Sequence, residues 1–288
     1  ILPSSKFQLS KLAMMRGQAL ALINAPSMEQ FQDSVDPRFT SAPTAVDPYP
    51  SLQTQYIADG GNLSLNPTYT FSLPTQALGA SFAAYYAPYI LNDVGAYVPP
   101  TTFVTGLAMR RYRDEVAGFR LPPAGAKYSL AGARGVQVEI TSGQQDVSNP
   151  YGLNALRQLP GYSETDADTG ITFGPVFVWG SRTRVNPANA EQALYKFVNT
   201  RVIINVIYGT MRYAFDNQIF SIVDGRAVTF NQIRTIAANT LYEQFYVPGA
   251  LFGSTAADAF DVICDDRNNP PGNLENGLVN VQLFCVPV

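Results

Sequence analysis

The sequence predicts a mixed fold in two parts, an α/β domain over residues 1–171 and an α+β domain over residues 172–288. Three observations carry this reading. Gln18-Ala19-Leu20-Ala21-Leu22-Ile23-Asn24 is an apolar run without polar alternation, the pattern of a strand covered on both faces in an α/β sheet. Beyond residue 199, two helical patterns, a strand, a polar loop and a second strand follow in order. Hydrophobic residues make up 46% of 288, enough for a sizeable core.

Ser10 to Gly17 reads as the end of a helix leading into the 18–24 strand. Seven of the 21 prolines then fall between Pro26 and Pro74. Proline fixes φ and removes a donor, so this stretch is expected to be an extended surface excursion. Thr75 to Leu91 places Leu78, Phe82, Tyr85, Tyr86 and Tyr89 at helical spacing. A second helix is expected from Thr102 to about Glu115, with Gly118 just past its end. Gly135 to Ile140 alternates like a half-exposed strand, Asn149 to Gln158 reads as a short helix, and Thr172 to Trp179 as a buried strand.

The second part is more regular. Val202, Ile203, Val206, Ile207, Thr210, Tyr213 and Ala214 form a wide face on one long helix over 199–216. Asp224-Gly225 is a turn signal, and Thr229 with Gln232 fits a capping box for a helix running to about Phe245. Pro248-Gly249 closes that helix. Ala259 to Cys264 and Leu278 to Val286 read as strands joined by the polar loop Asp265–Asn276.

Composition excludes most familiar chemistry. The chain has no histidine, which removes imidazole triads, His-ligated metals and the commonest general base. None of the four lysines (Lys6, Lys11, Lys127, Lys196) lies three residues after a serine, no Gly-x-Ser-x-Gly occurs, and Ile1 has no nucleophilic side chain. Glycine-rich phosphate loops are missing. Cys264 and Cys285 are too few for a disulfide framework or a zinc site and read as buried thiols in strands. No run of eighteen apolar residues suggests membrane insertion, and Asn62-Leu63-Ser64 is a sequon without a secretory signal ahead of it.

Two candidate chemistries remain open. A carboxylate-dependent hydrolase would use one of the acidic pairs Asp114-Glu115, Asp166/Asp168 or Asp265-Asp266, provided two carboxyls faced each other across a cleft. The stretch Ser163 to Gly170 fails as a calcium loop, because Thr169 and Pro175 stand where glycine and glutamate belong. A nucleic-acid module would use Arg110, Arg111, Arg113, Arg120, Lys127 and Arg134. Against that, 19 basic and 22 acidic residues give a net charge of −3. An acidic stretch, Asp258, Asp261, Asp265, Asp266 and Glu275, opposes the basic cluster. Two such patches suit either a head-to-tail polymer or unrelated solvated faces. Arginine outnumbers lysine 15 to 4, which suits interfaces.

A series of segments in order carries a resemblance. Arg16 to Pro26, Tyr85-Tyr86-Ala87-Pro88-Tyr89, Val98-Pro99-Pro100 and Gly152-Leu153-Asn154-Ala155-Leu156-Arg157 come first. Gly174-Pro175-Val176-Phe177-Val178-Trp179-Gly180-Ser181-Arg182-Thr183 and Phe197-Val198-Asn199-Thr200-Arg201 follow. Val247-Pro248-Gly249-Ala250-Leu251-Phe252-Gly253, Ala259-Phe260-Asp261-Val262-Ile263-Cys264-Asp265 with Asn268-Asn269, and Val286-Pro287 complete the series. Together they resemble the tail sheath proteins of contractile-tailed bacteriophages and related contractile injection machines. Ser181 departs from the family's alanine, and Ile203 and Ile204 from its more usual basic residue and neighbour. The likeness covers the chain except for Pro26–Pro74 and residues 161–170, two elaborations that would suit a large or giant phage.

The resemblance implies a truncated α/β sheath domain followed by an α+β assembly domain, in a structural polymer rather than an enzyme. It implies no catalytic, cofactor-binding or metal-binding residues. Expected partners are other copies of the chain, exchanging strands through terminal arms, with the tail tube protein and the baseplate and tail terminator proteins; neither nucleic acid nor membrane insertion is expected. The expected location is the virion's tail sheath, after assembly in host cytoplasm. Because the chain starts at Ile1 and stops at Val288 directly after a strand-like run, it is expected to be a core fragment without arms, monomeric by itself.

Overall fold

Tyr85 and Tyr86 are adjacent and both buried, yet their rings enter different cores. Neighbouring side chains part in this way only on a strand. The computed structural model describes residues 9, 12–13, 15–24, 81–159, 161–162, 164–165, 172–185, 194–219 and 227–288. They form two units, Ile1–Val202 and Ile203–Val288. In the first, β1 (Ala21–Asn24) lies parallel to β2 (Ala83–Ala87), with Ile23 opposite Tyr85. A second sheet holds β3 (Ile90–Asn92) between β4 (Tyr97–Val98) and β5 (Ala133–Val136). Between β4 and β5 runs α1 (Thr101–Asp114), which buries Val104, Leu107 and Ala108. After α2 (Ser142–Ser148) comes β6 (Leu153–Gln158), parallel to β2 with Tyr85 opposite Leu153.

β7 (Glu164–Thr165) and β8 (Thr172–Phe173) make a small ribbon. β9 (Val176–Trp179) closes the main sheet antiparallel to β6, giving the order β1-β2-β6-β9. Its outer edge is covered: Gly125 N–H donates to Val178 O at 2.9 Å and Leu130 N–H to Val176 O at 2.8 Å. One core, on the Tyr85 side, gathers Ile23, Ile140 and Leu153. The other, on the Tyr86 side, gathers Ile90, Val104, Leu107, Leu156, Val178 and Val198.

The structure changes several sequence-based expectations. The helix expected over 75–91 is instead strand β2 at 83–87, while residues 75–80 lie outside the described residues. A five-residue apolar strand covered on both faces shows no period of two, so its aromatic spacing mimics a helix. The helix expected over 149–158 is a 3₁₀ turn at Asn149–Tyr151 followed by β6. Between them Gly152 has φ +82°, which no helix passes through, and burial outweighs the helix propensity of Leu, Ala and Arg. The strand expected over 18–24 is shorter and half-buried, because β1 ends the described sheet. The 135–140 strand lies at 133–136. Helix α1 falls where the sequence places it, with Gly118 just beyond. Because β9 pairs with β6, the 172–179 region belongs to the first unit, and the chain divides at Val202/Ile203 rather than at 171/172. The proline-rich excursion 26–74 and the Asp224-Gly225 turn lie outside the described residues.

Helix α3 (Val198–Ala214) closes the first unit with its first residues and opens the second with the rest. In the second unit it buries Ile203, Ile207 and Met211 at helical spacing. Helix α4 (Val228–Leu241) buries Phe230, Ile233, Ala237 and Leu241. Its N-cap is Ala227, left-handed and without a side-chain cap bond. The expected Thr229–Gln232 box therefore does not form; Thr229 lies within the helix and is buried. A π turn, Tyr242–Tyr246, extends α4 and keeps Phe245 in the core. The helix stops at Gly249, whose φ is +77°.

A complete capping box opens the short helix α5 (Ala256–Ala259), where Thr255 and Asp258 satisfy each other's main-chain N–H groups. Strands β10 (Phe260–Ile263) and β11 (Gln282–Cys285) are antiparallel, as the sequence indicates. The loop between them carries α6 (Pro271–Glu275) and is knitted by asparagines. Asn269 is buried, donates to the carbonyls of Asp265 and Asn280, and accepts from Asn280 N–H at 2.5 Å. Cys264 is buried and Cys285 half-buried, and both are free thiols. No helix among the described residues is long and apolar enough to cross a membrane.

Among the described residues the buried Tyr86 hydroxyl has no hydrogen-bond partner, and burial pushes its pKa well above the usual range. Tyr86→Phe is therefore expected to leave stability unchanged or raise it by about 1 kcal/mol. Tyr86→Ala should cost about 3–5 kcal/mol through the cavity it opens. Urea unfolding of both variants is the check, and a clear loss in Tyr86→Phe would contradict an unpartnered hydroxyl.

Candidate functional site

Four segments of the first unit converge where the long helix α3 starts: residues 81–87, 152–155, 180–185 and 195–201. Their side chains are positioned by backbone first. Arg184 N–H donates to Ala83 O at 2.8 Å, Thr183 N–H to Lys196 O at 2.9 Å, and Val198 N–H to Ser181 O at 3.1 Å. Asn154, fully buried on β6, then acts as a substitute strand. Its amide donates to Arg182 O at 2.8 Å, and its Oδ1 accepts from Arg182 N–H at 2.6 Å. Two glycines permit this approach. A Cβ on Gly180 would lie 3.1 Å from Asn154 Cα, and one on Gly152 would run into the Thr183 carbonyl oxygen.

Two arginines sit inside this junction. Arg184, 2% exposed, stacks over the Tyr85 ring at 4.1 Å. Arg201, 4% exposed, lies between two rings, 4.2 Å from the Phe82 centroid and 3.8 Å from that of Tyr195. Its Nη2 donates to Ser81 Oγ at 2.9 Å. Burial pulls its pKa down to about 10, with Tyr195 acting in the opposite sense. Thr183 Oγ1 donates to Tyr195 O at 2.6 Å and holds that residue in place. Desolvated cation–π contacts of this kind contribute about 2 kcal/mol. Among the described residues the junction offers no acid–base pair; what it does is tie the start of α3 to the end of the sheet.

The sequence-derived site candidates lie elsewhere and are occupied locally. Asp114 is paired with Arg113 at 2.7 Å and Arg110 at 3.8 Å; Glu115 with Lys127 at 2.8 Å and Arg111 at 3.8 Å. Arg113 and Lys127, respectively, are the main cause of the lowered pKa of these two carboxyls. Asp265 is held down in the same way by Arg267. A glycosidase acid needs the opposite shift. The pair Asp166/Asp168 lies outside the described residues, as does most of Ser163–Gly170. Among the described residues no group of three Cys, Asp or Glu could hold a metal ion.

The basic cluster is largely neutralised from within. Besides the pairs above, Arg134 meets Asp93 at 2.6 Å. Arg110, Arg111 and Lys127 gather around the Tyr128 ring at 4.8, 5.8 and 5.5 Å. Arg111 also donates to Ala124 O at 2.9 Å and to Pro122 O, stitching the loop to α1. The acidic stretch is likewise used at home, Asp258 in a cap and Asp265 in an ion pair. Sequence reasoning did not single out Asn154, Arg184 or Arg201 as side chains of one site. One signal for Arg201 was present: it is the only charged residue between Phe197 and Met211.

Solved structures share this architecture. A chain of the anti-feeding prophage baseplate superposes with TM-score 0.61 at 22% identity, covering 83% of this chain and 62% of its own. The sheath of an extracellular contractile injection system, PVC, in its contracted state gives 0.65 at 17% identity, over 93% and 60%. The contracted helical sheath of the anti-feeding prophage gives 0.59 at 20% identity, over 86% and 65%. The fold is a contractile sheath fold. The chain spans about three-fifths of the length of these sheath-fold chains. No family model and no curated protein matches the sequence.

Two expectations follow for this sheath-fold chain. Asn154→Ala strands the half-buried N–H and C=O of Arg182 and should cost about 1–3 kcal/mol. Arg201→Ala should cost about 2–4 kcal/mol by emptying the space between two rings, whereas Arg201→Met refills it without a buried charge and should cost less than about 1.5. Chemical denaturation of the three variants tests both, and equal losses for Met and Ala would mean that the charge itself holds the rings. The pH profile has a fixed sign. Asp114, Glu115 and Asp265 have folded pKa values below their unfolded ones, so their stabilisation is present above about pH 4 and lost as pH falls through the folded values. With no histidine, the thermal midpoint should be flat from about pH 6 to 8, and a step there would contradict this account.

Proposed function

We propose that this chain is a structural subunit of a contractile sheath, a polymer of its own copies around an inner tube. The observation that carries the reading is the likeness to solved sheath chains over 86–93% of this chain. Four of the nine motif segments, those over 85–89, 152–157, 174–183 and 197–201, support it as well, since they meet at the Asn154–Arg182 and Arg201 junction. On this reading the subunit is assembled in an extended state, and contraction, started at the baseplate, drives the tube through the host envelope during genome delivery. Alternative packings of subunit interfaces would store the energy, so no nucleotide is needed.

Copies would stay joined by strand exchange through terminal arms. The remaining partners would be the tail tube, baseplate and tail terminator proteins. The location would be a phage virion's tail, filled by assembly in host cytoplasm. The hydrolase alternative has no support from Asp114, Glu115 and Asp265, which are ion-paired and held ionised.

The test is direct. A chain extended to the full length of the solved sheath proteins is expected to form hollow tubes by negative-stain microscopy. The 288-residue chain should sediment as a monomer in dilute solution and form none. An extended chain that never forms tubes would remove the reading.

A further inference from the structure

The connection from β10 to β11 carries five asparagines, at 268, 269, 273, 276 and 280, and the residue after each one decides its chemistry. Asparagine is a labile residue because the next main-chain nitrogen can attack its amide carbon. Asn269 precedes Pro270, which has no N–H to give up. Asn268, Asn273 and Asn280 precede Asn269, Leu274 and Val281, whose side chains crowd the approach. Asn276 precedes Gly277, the sole Asn-Gly pair in the sequence, and both residues are exposed. Even a Cβ placed on Gly277 would meet nothing within 4 Å, so solvent reaches the pair freely.

The folded loop holds this pair back by three restraints. Asn276 has φ −88° and ψ 5°, which sets Gly277 N against Asn276's own nitrogen and a third of a turn from its Cβ. Closing a ring through the side chain needs that nitrogen beside the Cβ. Gly277 N–H is also engaged by Leu274 O at 2.9 Å, and the Asn276 amide donates to Gly272 O at 2.7 Å. Leu278 N–H bonds Asn273 O at 2.9 Å and pins the chain on the far side. All of these bonds end on α6, a helix of only five residues. A helix that short does not hold itself together. Leu274 packs it against the core cluster of Phe230, Ile233 and Cys264.

We propose that Asn276 is a site of spontaneous deamidation, that opening of the last turn of α6 sets its rate, and that Leu274 is the latch on that opening. When the turn opens, Gly277 N loses its proton to solvent and attacks Asn276 Cγ. The N–Cγ bond forms, the Cγ–Nδ2 bond breaks, and Nδ2 leaves as ammonia with a proton taken from water. A second water then opens the five-membered imide at either carbonyl. Opening at the side-chain carbonyl leaves aspartate. Opening at the main-chain carbonyl leaves isoaspartate, with the chain routed through Cβ and one methylene longer. Either product puts a carboxylate beside Glu275, and the longer chain no longer presents Gly277 and Leu278 to α6 in register. The reaction involves this loop and water alone, and it does not depend on the sheath-subunit reading.

Peptide mass spectrometry of the aged 288-residue chain, with isoaspartate counted by enzymatic methylation, tests this. In mildly alkaline buffer, conversion at Asn276 is expected to be at least about tenfold slower in the folded chain than in denaturing urea. The other four asparagines of the loop stay largely intact over that time in both. In native buffer Leu274→Ala, which lets α6 lift, speeds conversion at least about threefold, while in urea it matches the wild type. Leu274→Met refills the contact and keeps the wild-type rate. Circular dichroism reports whether Leu274→Ala is folded. If it is not, the wild type in urea below its unfolding transition carries the same test, and its rate rises with urea before the global transition. An Asn276 that stays unreactive in denaturing urea overturns the site. Equal rates in folded and unfolded chain, a folded Leu274→Ala no faster than the wild type, or a flat rate below the transition overturns control by the turn. Comparable conversion at Asn268, Asn273 or Asn280 overturns the selectivity for Asn276.

Discussion

The first unit depends on a guanidinium buried between two aromatic rings. Arg201 is buried between the rings of Phe82 and Tyr195 and bonded to Ser81, at the point where helix α3 leaves the sheet. Taking such a cation out of water costs several kcal/mol, and two ring faces with one hydroxyl return only part of that. A residue kept at a net cost contributes geometry more than stability. The planar group fits one slot, and that slot is defined only when strand β2 and residue 195 are both in place. Arg184 likewise stacks over the Tyr85 ring.

Much of the fold was visible in the sequence, and the two misread strands share one cause. Helices α1, α3 and α4 were legible because each has a buried stripe and a wet back, so the 3.6-residue period survives in the apolar pattern. Strands β10 and β11 were legible because turn residues bound them and they stay half exposed. β2 and β6 were read as helices because both are buried on both faces, where every position is apolar or hydrogen-bonded and no period remains. The cap of α4 failed for another reason: Thr229 is needed in the core, so the N-terminus starts at Ala227 without a side-chain partner.

The junction was the least legible feature. Its members lie up to 120 residues apart, as Ser81 and Arg201 do, and no local pattern links them. Gly152 and Gly180 gave a hint, since glycine beside buried apolar runs marks close backbone approach. The acidic pairs and the basic cluster were conspicuous in the sequence for the opposite reason. Charges that neutralise each other within a few residues, as Arg110, Arg113 and Asp114 do, stand out as a cluster but leave little field beyond it.

The scarcity of charge has a structural counterpart in where the charges go. With 14% charged residues, several of those described are committed to caps, ion pairs and ring stacks within their own unit. Meanwhile large apolar side chains such as Phe252, Tyr213 and Val247 remain on the surface of the second unit. Contacts made there would be driven by apolar area and main-chain pairing, both weakly sensitive to salt. Control of such contacts must then come from which backbone edges are open and which faces a neighbour already covers.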